Sequence, residues 1–185
     1  MNLHSMNKIM KSNKIILLGY MGSGKSAVGT KLAKQLGISF VDLDDYIENR
    51  EHNFVSKIFD TKGELYFRAL ERKCLEELLI TNDPLVVSLG GGTPCYYDTM
   101  DFINLKQEVQ SIYLKTGINE LTNRLFEQRK MRPMIAHLGD ANQMKEFIGK
   151  HLFERAAFYQ KAKNQIITDD KTIETVVTEI LSVLV

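Results

Sequence analysis

A glycine-rich run near the start of the chain carries residues whose types and spacing could bind phosphate. Residues 19–26 read GYMGSGKS, between the apolar run Lys14–Leu18 and a helical pattern. Glycines let a loop turn so that successive backbone N–H groups converge on an anion, and the next helix adds its positive N-terminus. In this P-loop pattern Lys25 reaches the outer phosphates of a nucleotide, and the Ser26 hydroxyl is a ligand for Mg²⁺. The predicted ATP-binding residues of this run are Gly22, Ser23, Gly24, Lys25, Ser26 and Ala27.

Two aspartates at the end of the second apolar run could serve phosphoryl transfer. Asp42 closes the run Ser39–Asp42, and Asp44 would share its side if the strand continued that far. A kinase needs one carboxylate near Mg²⁺ and one near the acceptor hydroxyl. We therefore predict functional roles for Asp42 and Asp44. Asp45, in contrast, is expected to cap the next helix.

A glycine triplet and two arginines are further candidates. Gly90–Gly92 directly follow an apolar run, where a third glycine indicates close approach of the backbone to a ligand. Arg68 and Glu71 lie three apart on a helical pattern, and taken alone such a pair is solvated decoration worth about 0.2–0.5 kcal/mol. Arg155 lies beside small and aromatic residues, so it either snorkels or binds an anion, and composition leaves both open.

The elements that must position these residues alternate between short β-rich runs and helical patterns. The predicted strands are Lys14–Leu18, Ser39–Asp42, Leu85–Leu89, Ser111–Leu114 and Gln165–Thr168. The predicted helices are Ala27–Leu36, Gly63–Ile80, Asp98–Leu105, Asn119–Gln128 and Ile173–Leu184, the last with Thr172 as its N-cap. This alternation favours a parallel sheet with helices on both faces and a ligand site at the carboxyl ends of the strands. The basic, irregular stretch Gln128–Asn142 is typical of a lid.

Length and composition limit the remaining possibilities. The 185 residues suit one domain, and a net charge of +1 gives no overall field for nucleic acid or membrane. No apolar run approaches the roughly 20 residues of a membrane span, and residues 1–13 resemble an extension rather than a signal peptide. Cys74 and Cys95 are expected to be free thiols in a reducing cytosol. His52, His137 and His151 show no metal spacing, so they receive no role.

Taken together, these pieces resemble shikimate kinases. The matching segments are GYMGSGKS from residue 19, VDLDDYIE from 41, IFDTKGELYFRALE from 58, SLGGGT from 88, RKMRP from 129 and ERAAFY from 154. The resemblance extends from about residue 14 to the C-terminus. Its ordered set of D-x-D, F-R-x-x-E, G-G-G, R-P and R-x-x-x-Y is far more specific than the P-loop alone.

The resemblance implies a three-layer α/β P-loop kinase fold. Its five parallel strands would have the order 2-3-1-4-5, in one domain with an extension at 1–13, a substrate-binding region at about 44–80 and a mobile lid at about 128–142. The implied reaction transfers the γ-phosphoryl group of ATP to the 3-hydroxyl of shikimate, with Mg²⁺ as cofactor, in aromatic amino acid biosynthesis. The protein would be a cytoplasmic monomer without nucleic-acid or membrane partners.

The resemblance also assigns residues to roles. The implied catalytic residues are Asp44, Lys25 and Arg132, and Arg132 of the lid would reach the ATP phosphates. Shikimate would contact Asp44, Arg68, Gly91, Gly92 and Arg155, with both arginines facing its carboxylate. Phe59 and Phe67 would line its ring, and Glu71 would hold Arg68. Ser26 and Asp42 would serve the metal, Asp42 through water. Two departures from the common pattern are Ala27, where many relatives carry Thr, and a lid that looks long at His137–Gln143.

Two alternatives remain open at the level of sequence. One is a related small-molecule kinase of the gluconate-kinase or nucleotide-kinase type, which a substrate panel would separate. The other is a nucleotide-dependent switch module without transfer activity, which would bind ATP but need neither Asp44 nor an acceptor pocket. Shikimate-dependent release of ADP separates that module from an enzyme.

Overall fold

A five-stranded parallel β-sheet forms the centre of the computed structural model, which describes residues 14–132 and 134–184. The strands are β1 (Lys14–Leu18), β2 (Ser39–Asp42), β3 (Leu85–Ser88), β4 (Val109–Lys115) and β5 (Asn164–Ile167). Their spatial order is β2-β3-β1-β4-β5, and all four neighbouring pairs are parallel. The predicted strand order is therefore confirmed. The extension predicted at residues 1–13 lies outside the described residues, as does Pro133 of the predicted lid.

Helices cover both faces of this sheet. They are α1 (Lys25–Leu36), α2 (Leu43–Glu51), α3 (Val55–Ile80), α4 (Thr99–Leu105), α5 (Ile118–Gln128), α6 (Ala141–Tyr159) and α7 (Ile173–Leu184). Single 3₁₀ turns occupy Thr93–Cys95 and Arg129–Met131. Within the described ranges, no helix is both long enough and apolar enough to cross a membrane.

The long helix α3 begins earlier than its apolar pattern predicts and contains a break. It starts at Val55 rather than Gly63, and Gly63 inside it has φ 80° and ψ 168°. A residue with a side chain is strained at such a positive φ, whereas glycine adopts it readily. The break is thus tied to glycine, and the part of the helix after it contains Arg68 and Glu71.

Two apolar layers hold the sheet from opposite faces. Successive residues of β1 alternate between them, with Ile16 and Leu18 in one layer and Ile15 and Leu17 in the other. This alternation is the period-2 geometry of a strand that is buried on both faces. The second layer includes residues of α1 and α7, whereas the first includes residues of α2, α3, α5 and α6. Cys74, buried in the first layer, and Cys95 are both free, which confirms the expected thiols.

Candidate active site

A cleft of about 570 Å³ opens at the carboxyl ends of β1, β2 and β3. Its walls include many of the residues that the sequence singles out, namely Gly22, Gly24, Lys25, Ser26, Ala27, Asp42, Asp44, Gly91 and Arg132. Ligands of open parallel α/β sheets bind at this edge. The fold therefore brings the P-loop, the two aspartates and the lid arginine to one place.

The P-loop presents the start of α1 to this cleft. Gly24 is the N-cap of α1 and has the left-handed backbone angles φ 91° and ψ 13°. The first backbone N–H groups of a helix lack intrahelical partners, so this end attracts anions. Ser23 differs from its neighbours, because its side chain is buried and its Oγ has no hydrogen-bond partner in the part of the chain that the structure describes. Its role as a direct ATP ligand stays a prediction.

Lys25 is held at the base of the P-loop by backbone carbonyls. Its Nζ donates hydrogen bonds to the carbonyl oxygens of Gly19 and Tyr20, both at 3.0 Å. Burial lowers the pKa of Lys25 to about 8, against the opposing effect of the carboxylates of Asp44 and Asp42. A bound polyphosphate would add negative charge and raise this pKa, so the lysine suits an anionic ligand.

Asp42 joins the end of β2 to the P-loop and caps α2. Its carboxylate accepts hydrogen bonds from Ser26 Oγ at 2.7 Å and from the backbone N–H of Asp44 at 3.1 Å. The prediction that Asp45 caps this helix is therefore wrong. Asp42 is the N-cap, because the chain is still extended at Asp42 and becomes helical at Leu43. For the same reason Asp42 and Asp44 do not share a strand face, although both line the cleft.

The carboxyl group of Asp44 has a strongly perturbed pKa. Burial raises its pKa to about 7, and the negative charges of Glu71 and Asp42 add to the effect. Lys25 and Arg68 act in the opposite direction. A carboxyl group with a pKa near neutrality can exchange a proton at working pH, which is the property of a general base.

Arg68 and Glu71 form a buried ion pair, so the expectation of solvated decoration is wrong. Arg68 Nη1 donates to Glu71 Oε2 at 2.6 Å, and Glu71 is only 2% exposed. Thr93 Oγ1 donates to the other oxygen of Glu71 at 2.5 Å. Two glycines pack closely against this pair, since a Cβ on Gly90 would lie 2.9 Å from Glu71 Oε1 and one on Gly92 would lie 2.8 Å from Arg68 Nη2.

Arg68 has a second carboxylate and several rings around it. Its Nε and Nη2 both lie 3.4 Å from Glu64 Oε1, and the Tyr96 hydroxyl also bonds that carboxylate. The guanidinium carbon is 4.2 Å from the centroid of the Tyr96 ring, 5.5 Å from that of Phe59 and 5.3 Å from that of Phe67. Phe59 and Phe67 therefore stand beside the arginine, and their contact with a sugar-like ring stays a prediction.

Arg155 reaches the glycine triplet from α6. Its Nη1 lies 3.5 Å from the carbonyl oxygen of Gly91, and its guanidinium carbon lies 5.7 Å from the centroid of Tyr20. Among the described residues it forms no ion pair with a carboxylate, in contrast to Arg68. Tyr159, one turn later, donates to the same Gly91 oxygen at 2.6 Å. The arginine thus offers an unpaired positive charge beside the cleft.

The family of the chain follows from its sequence. A sequence model described as shikimate kinase matches residues 21–185, most of the chain. The chain belongs to the shikimate kinase family. A shikimate kinase from Flavobacterium johnsoniae is 43% identical over 171 residues, which cover 92% of this chain and 98% of that protein.

Two solved shikimate kinases have similar structures. The enzyme from Bacteroides thetaiotaomicron is 35% identical with a TM-score of 0.84, covering 92% of this chain and 97% of that one. A structure from Acinetobacter baumannii, in complex with shikimate, is 29% identical with a TM-score of 0.83, covering 97% of this chain and 96% of that one. The protein is therefore an ATP-dependent kinase whose acceptor group is an alcohol.

The segment predicted to form a lid lies between two helices of this shikimate kinase family member. Helix α5 ends at Gln128, and α6 begins at Ala141 behind Asp140, whose carboxylate caps the helix. Arg132 borders the cleft, with its Nη2 3.3 Å from Gln128 Oε1. Ile135 and Leu138 are buried, so this part of the segment packs into the core.

Some residues that border the cleft were missed from sequence. They are Met21, Ser88, Leu89, Arg124, Glu127 and Ile173. Arg124 Nη1 donates to the Gly22 carbonyl oxygen at 3.3 Å, while its Nε donates to Glu120 at 2.8 Å. The Arg124–Glu120 pair has ordinary i,i+4 helix spacing, which gives no signal of a cleft. Only the tertiary packing of α5 against the P-loop identifies Arg124.

Proposed function

We propose that the protein transfers the γ-phosphoryl group of ATP to the 3-hydroxyl group of shikimate, giving shikimate 3-phosphate and ADP. One observation carries the assignment of the site. Asp44 Oδ1, Glu71 Oε1 and Thr93 Oγ1 all lie within 3.0 Å of the place where a Cβ of Gly90 would be. The residue that would handle the acceptor hydroxyl and the pair that supports Arg68 therefore meet at the same glycine, next to the P-loop.

The P-loop half of the cleft would hold the triphosphate. Lys25 and Arg132 would place positive charge around the transferring group, where phosphoryl transfer concentrates negative charge on oxygen. The start of α1 would add backbone N–H donors. Arg124 and Ile173 border the same cleft from α5 and the start of α7, and we propose that they contact the nucleoside.

The glycine-triplet half would hold the acceptor. Asp44 would orient the attacking hydroxyl and accept its proton, as its raised pKa allows. Arg68 and Arg155 would bind the carboxylate, because guanidinium groups match carboxylates geometrically and keep their charge. Gly91 and Gly92 would border the substrate. Phe59, Phe67 and Glu71 would fix Arg68 from behind.

Ser26 and Asp42 fit a magnesium site. The Ser26 hydroxyl and the Asp42 carboxylate lie 2.7 Å apart, and both are hard oxygen donors that Mg²⁺ accepts. Ser26 would be a direct ligand, and Asp42 would act through water, since Mg²⁺ retains part of its hydration shell. When bound, Mg²⁺ would neutralise phosphate charge.

The proposal includes the organisation of the whole protein. We assign about residues 44–80 to the acceptor site and about 128–142 to a mobile lid that excludes water, the competing acceptor. We also propose a cytoplasmic monomer that binds small molecules rather than nucleic acid or membrane. The near-zero net charge of +1 agrees with local rather than global anion recognition.

The deciding experiment measures ADP release by the purified protein with ATP, Mg²⁺ and shikimate. Gluconate and nucleoside monophosphates serve as matched acceptors, and the phosphorylated product is identified by mass spectrometry. We expect turnover with shikimate and at most trace turnover with the others. Tight ATP binding without acceptor-dependent turnover would instead indicate a switch module.

A further inference from the structure

A buried tyrosine of the P-loop is hydrogen-bonded to the helix that carries Arg155. Tyr20 is 1% exposed, and its hydroxyl lies 3.1 Å from Nδ1 of His151 on α6. The backbone carbonyl of the same tyrosine accepts hydrogen bonds from Lys25 Nζ at 3.0 Å and from Ser23 N–H at 3.2 Å. Tyr20 therefore belongs to the cradle of Lys25 through its backbone and to α6 through its side chain.

His151 and Arg155 lie one helical turn apart, so they share a face of α6. Both contact Tyr20, His151 through the hydrogen bond and Arg155 across the ring at 5.7 Å. The hydrogen bond to His151 thus sets the distance between the P-loop and the part of α6 from which Arg155 extends.

An aromatic row continues from His151 to the lid. The centroid of the Phe147 ring, one turn earlier on α6, lies 4.2 Å from that of His151. The ring of His137, which belongs to the lid, lies 6.3 Å from Phe147 in an edge-to-face arrangement. The lid, α6 and the P-loop are therefore in continuous side-chain contact.

Burial favours the neutral form of both partners in this hydrogen bond. Burial raises the pKa of Tyr20 to about 12, so its hydroxyl keeps its proton at neutral pH. Burial and the charge of Arg155 lower the pKa of His151, which favours the neutral imidazole. With the ring proton on Nε2, the Tyr20 hydroxyl donates to the unprotonated Nδ1.

We propose that His151 is a positioning residue that holds the Tyr20 cradle of Lys25 in register with Arg155. Through this contact it aligns the phosphoryl donor with the acceptor, rather than touching either one. Small misalignments of reacting groups lower rates strongly, so a contact that links the two half-sites affects turnover. The inference deepens the phosphoryl transfer proposed above and rests on it.

The test uses variants that separate the hydrogen bond from ring packing. Tyr20→Phe removes only the donor, and His151→Phe keeps a ring against Phe147 but removes the acceptor. His151→Asn keeps an acceptor near the position of Nδ1 but loses the ring. We expect kcat with shikimate to fall roughly five- to tenfold in Tyr20→Phe and in His151→Phe, the usual effect of one hydrogen bond. KM for ATP should change less than about twofold.

The pattern across variants decides the proposal. The double variant Tyr20→Phe/His151→Phe should lose no more activity than either single variant, and His151→Asn should recover most of the loss. His52→Asn is the matched control. His52 is exposed with a left-handed φ of 50°, which asparagine tolerates, so this variant should match the parent.

Parent-like kcat in both single variants would overturn the proposal. Additive losses in the double variant would do so too, as would losses that merely track the fraction unfolded in thermal melts. Shikimate-dependent turnover of the parent tests the proposed function separately, because the positioning role is read only from ratios between variant and parent.

Discussion

At the scale of single residues, the ionisation of Lys25 and Asp44 is coupled. Each raises the fraction of the other that is charged, while burial acts against both charges. Their pKa values of about 8 and about 7 leave a narrow interval in which the lysine is protonated and the carboxylate is ionised. Transfer needs both of these forms at once.

We expect kcat/KM for shikimate to have a bell-shaped dependence on pH. It should rise as Asp44 ionises near pH 7 and fall where Lys25 loses its proton, which lies above pH 8 because bound ATP raises the pKa of the lysine. Asp44→Asn should remove the acid limb and lower kcat by about 10²–10⁴, the usual contribution of a general base. Steady-state kinetics between pH 5 and 10 provide the measurement, and an unchanged acid limb in Asp44→Asn would assign that limb to another group. Asp42→Asn is the control, which should raise the Mg²⁺ requirement but leave shikimate affinity nearly unchanged.

Lys25→Ala should abolish turnover in a folded protein. The lysine is expected to stabilise charge on the transferring group, and loss of such a contact costs about 3–4 kcal/mol of barrier. Turnover and circular dichroism of the purified variant check the expectation together. Near-parental activity would remove the P-loop assignment.

Arg155→Ala should weaken shikimate binding by roughly 1.5–3 kcal/mol, with little effect on ATP. Arg68→Ala should weaken it by less, because Arg68 is already paired with Glu64 and Glu71. The reason for the small effect on ATP is that both guanidinium groups lie at the glycine triplet, on the acceptor side of the cleft proposed above. Calorimetric titration with shikimate, and separately with a non-hydrolysable ATP analogue, makes the comparison. Equal losses for the two ligands would place these arginines in the nucleotide site or in the fold.

At the scale of elements, α1 is fixed to the sheet by a close approach at one glycine. A Cβ on Gly29 would lie 2.4 Å from Phe40 Cε2 and 3.2 Å from Leu17 Cδ1. The same helix begins with Lys25 and Ser26, so its packing against β1 and β2 determines the position of the P-loop relative to the sheet. The position of Lys25 and Ser26 thus depends on the packing of Gly29, which lies outside the cleft.

Gly29→Ala should destabilise the protein by about 1–2 kcal/mol. Overpacking of a core costs about 1–3 kcal/mol, and the higher helix propensity of alanine offsets part of that. Gly149→Ala on α6 is the matched control, because its Cβ would meet Ile118 Cδ1 at an ordinary 3.8 Å. It should stabilise the protein by up to about 1 kcal/mol. Urea unfolding of both variants tests the contrast, and the same sign for both would contradict it.

At the scale of the whole molecule, the free energy of unfolding carries the cost of a buried charged site. The pKa of Asp44 is raised on folding, so its contribution to stability is complete below about pH 4 and is lost as pH rises through 7. The pKa of Lys25 is lowered on folding, so its contribution is complete above about pH 10 and is lost as pH falls through 8. Near pH 7–8 the burial of both charges lowers the free energy of unfolding. The attraction between Asp44 and Lys25 offsets part of this cost.

Asp44→Asn should therefore stabilise the fold while it damages catalysis. We expect a gain of about 1–2 kcal/mol at pH 8 that shrinks progressively toward pH 4, where the native carboxyl is neutral and resembles the amide. Urea unfolding of parent and variant at several pH values measures the difference. A gain that does not depend on pH would show that ionisation of Asp44 is not its source.

Regular patterns made most of the fold predictable. The bounds of β1 and β2 were correct at both ends, because apolar runs flanked by a glycine loop and by aspartates are unambiguous. Strand β4 begins two residues earlier than predicted, at Val109, because Gln110 interrupts its apolar pattern. Helices α2 and α6 were not delimited from sequence. The first is short and acidic, and the second mixes apolar and charged residues without a clear stripe.

The site was less predictable than the fold, because its properties are tertiary. The P-loop pattern located Lys25 and Ser26, but no spacing shows that Glu71 is buried or that Arg124 reaches Gly22. His151 received no role, since a lone histidine has no local signal and its partner is 131 residues away.

The carboxylate of Glu64 beside Arg68 lowers the net gain in free energy when a carboxylate ligand binds Arg68. A carboxylate ligand that approaches Arg68 meets a guanidinium already paired with Glu64 and Glu71, so binding there is an exchange of one anion for another. At Arg155 the same ligand gains a contact without displacing a carboxylate of the described chain. The affinity of an inhibitor would thus increase more from a stronger interaction with Arg155 than from added negative charge opposite Arg68. Replacing the ligand's carboxylate by a neutral isostere should be penalised mainly through Arg155.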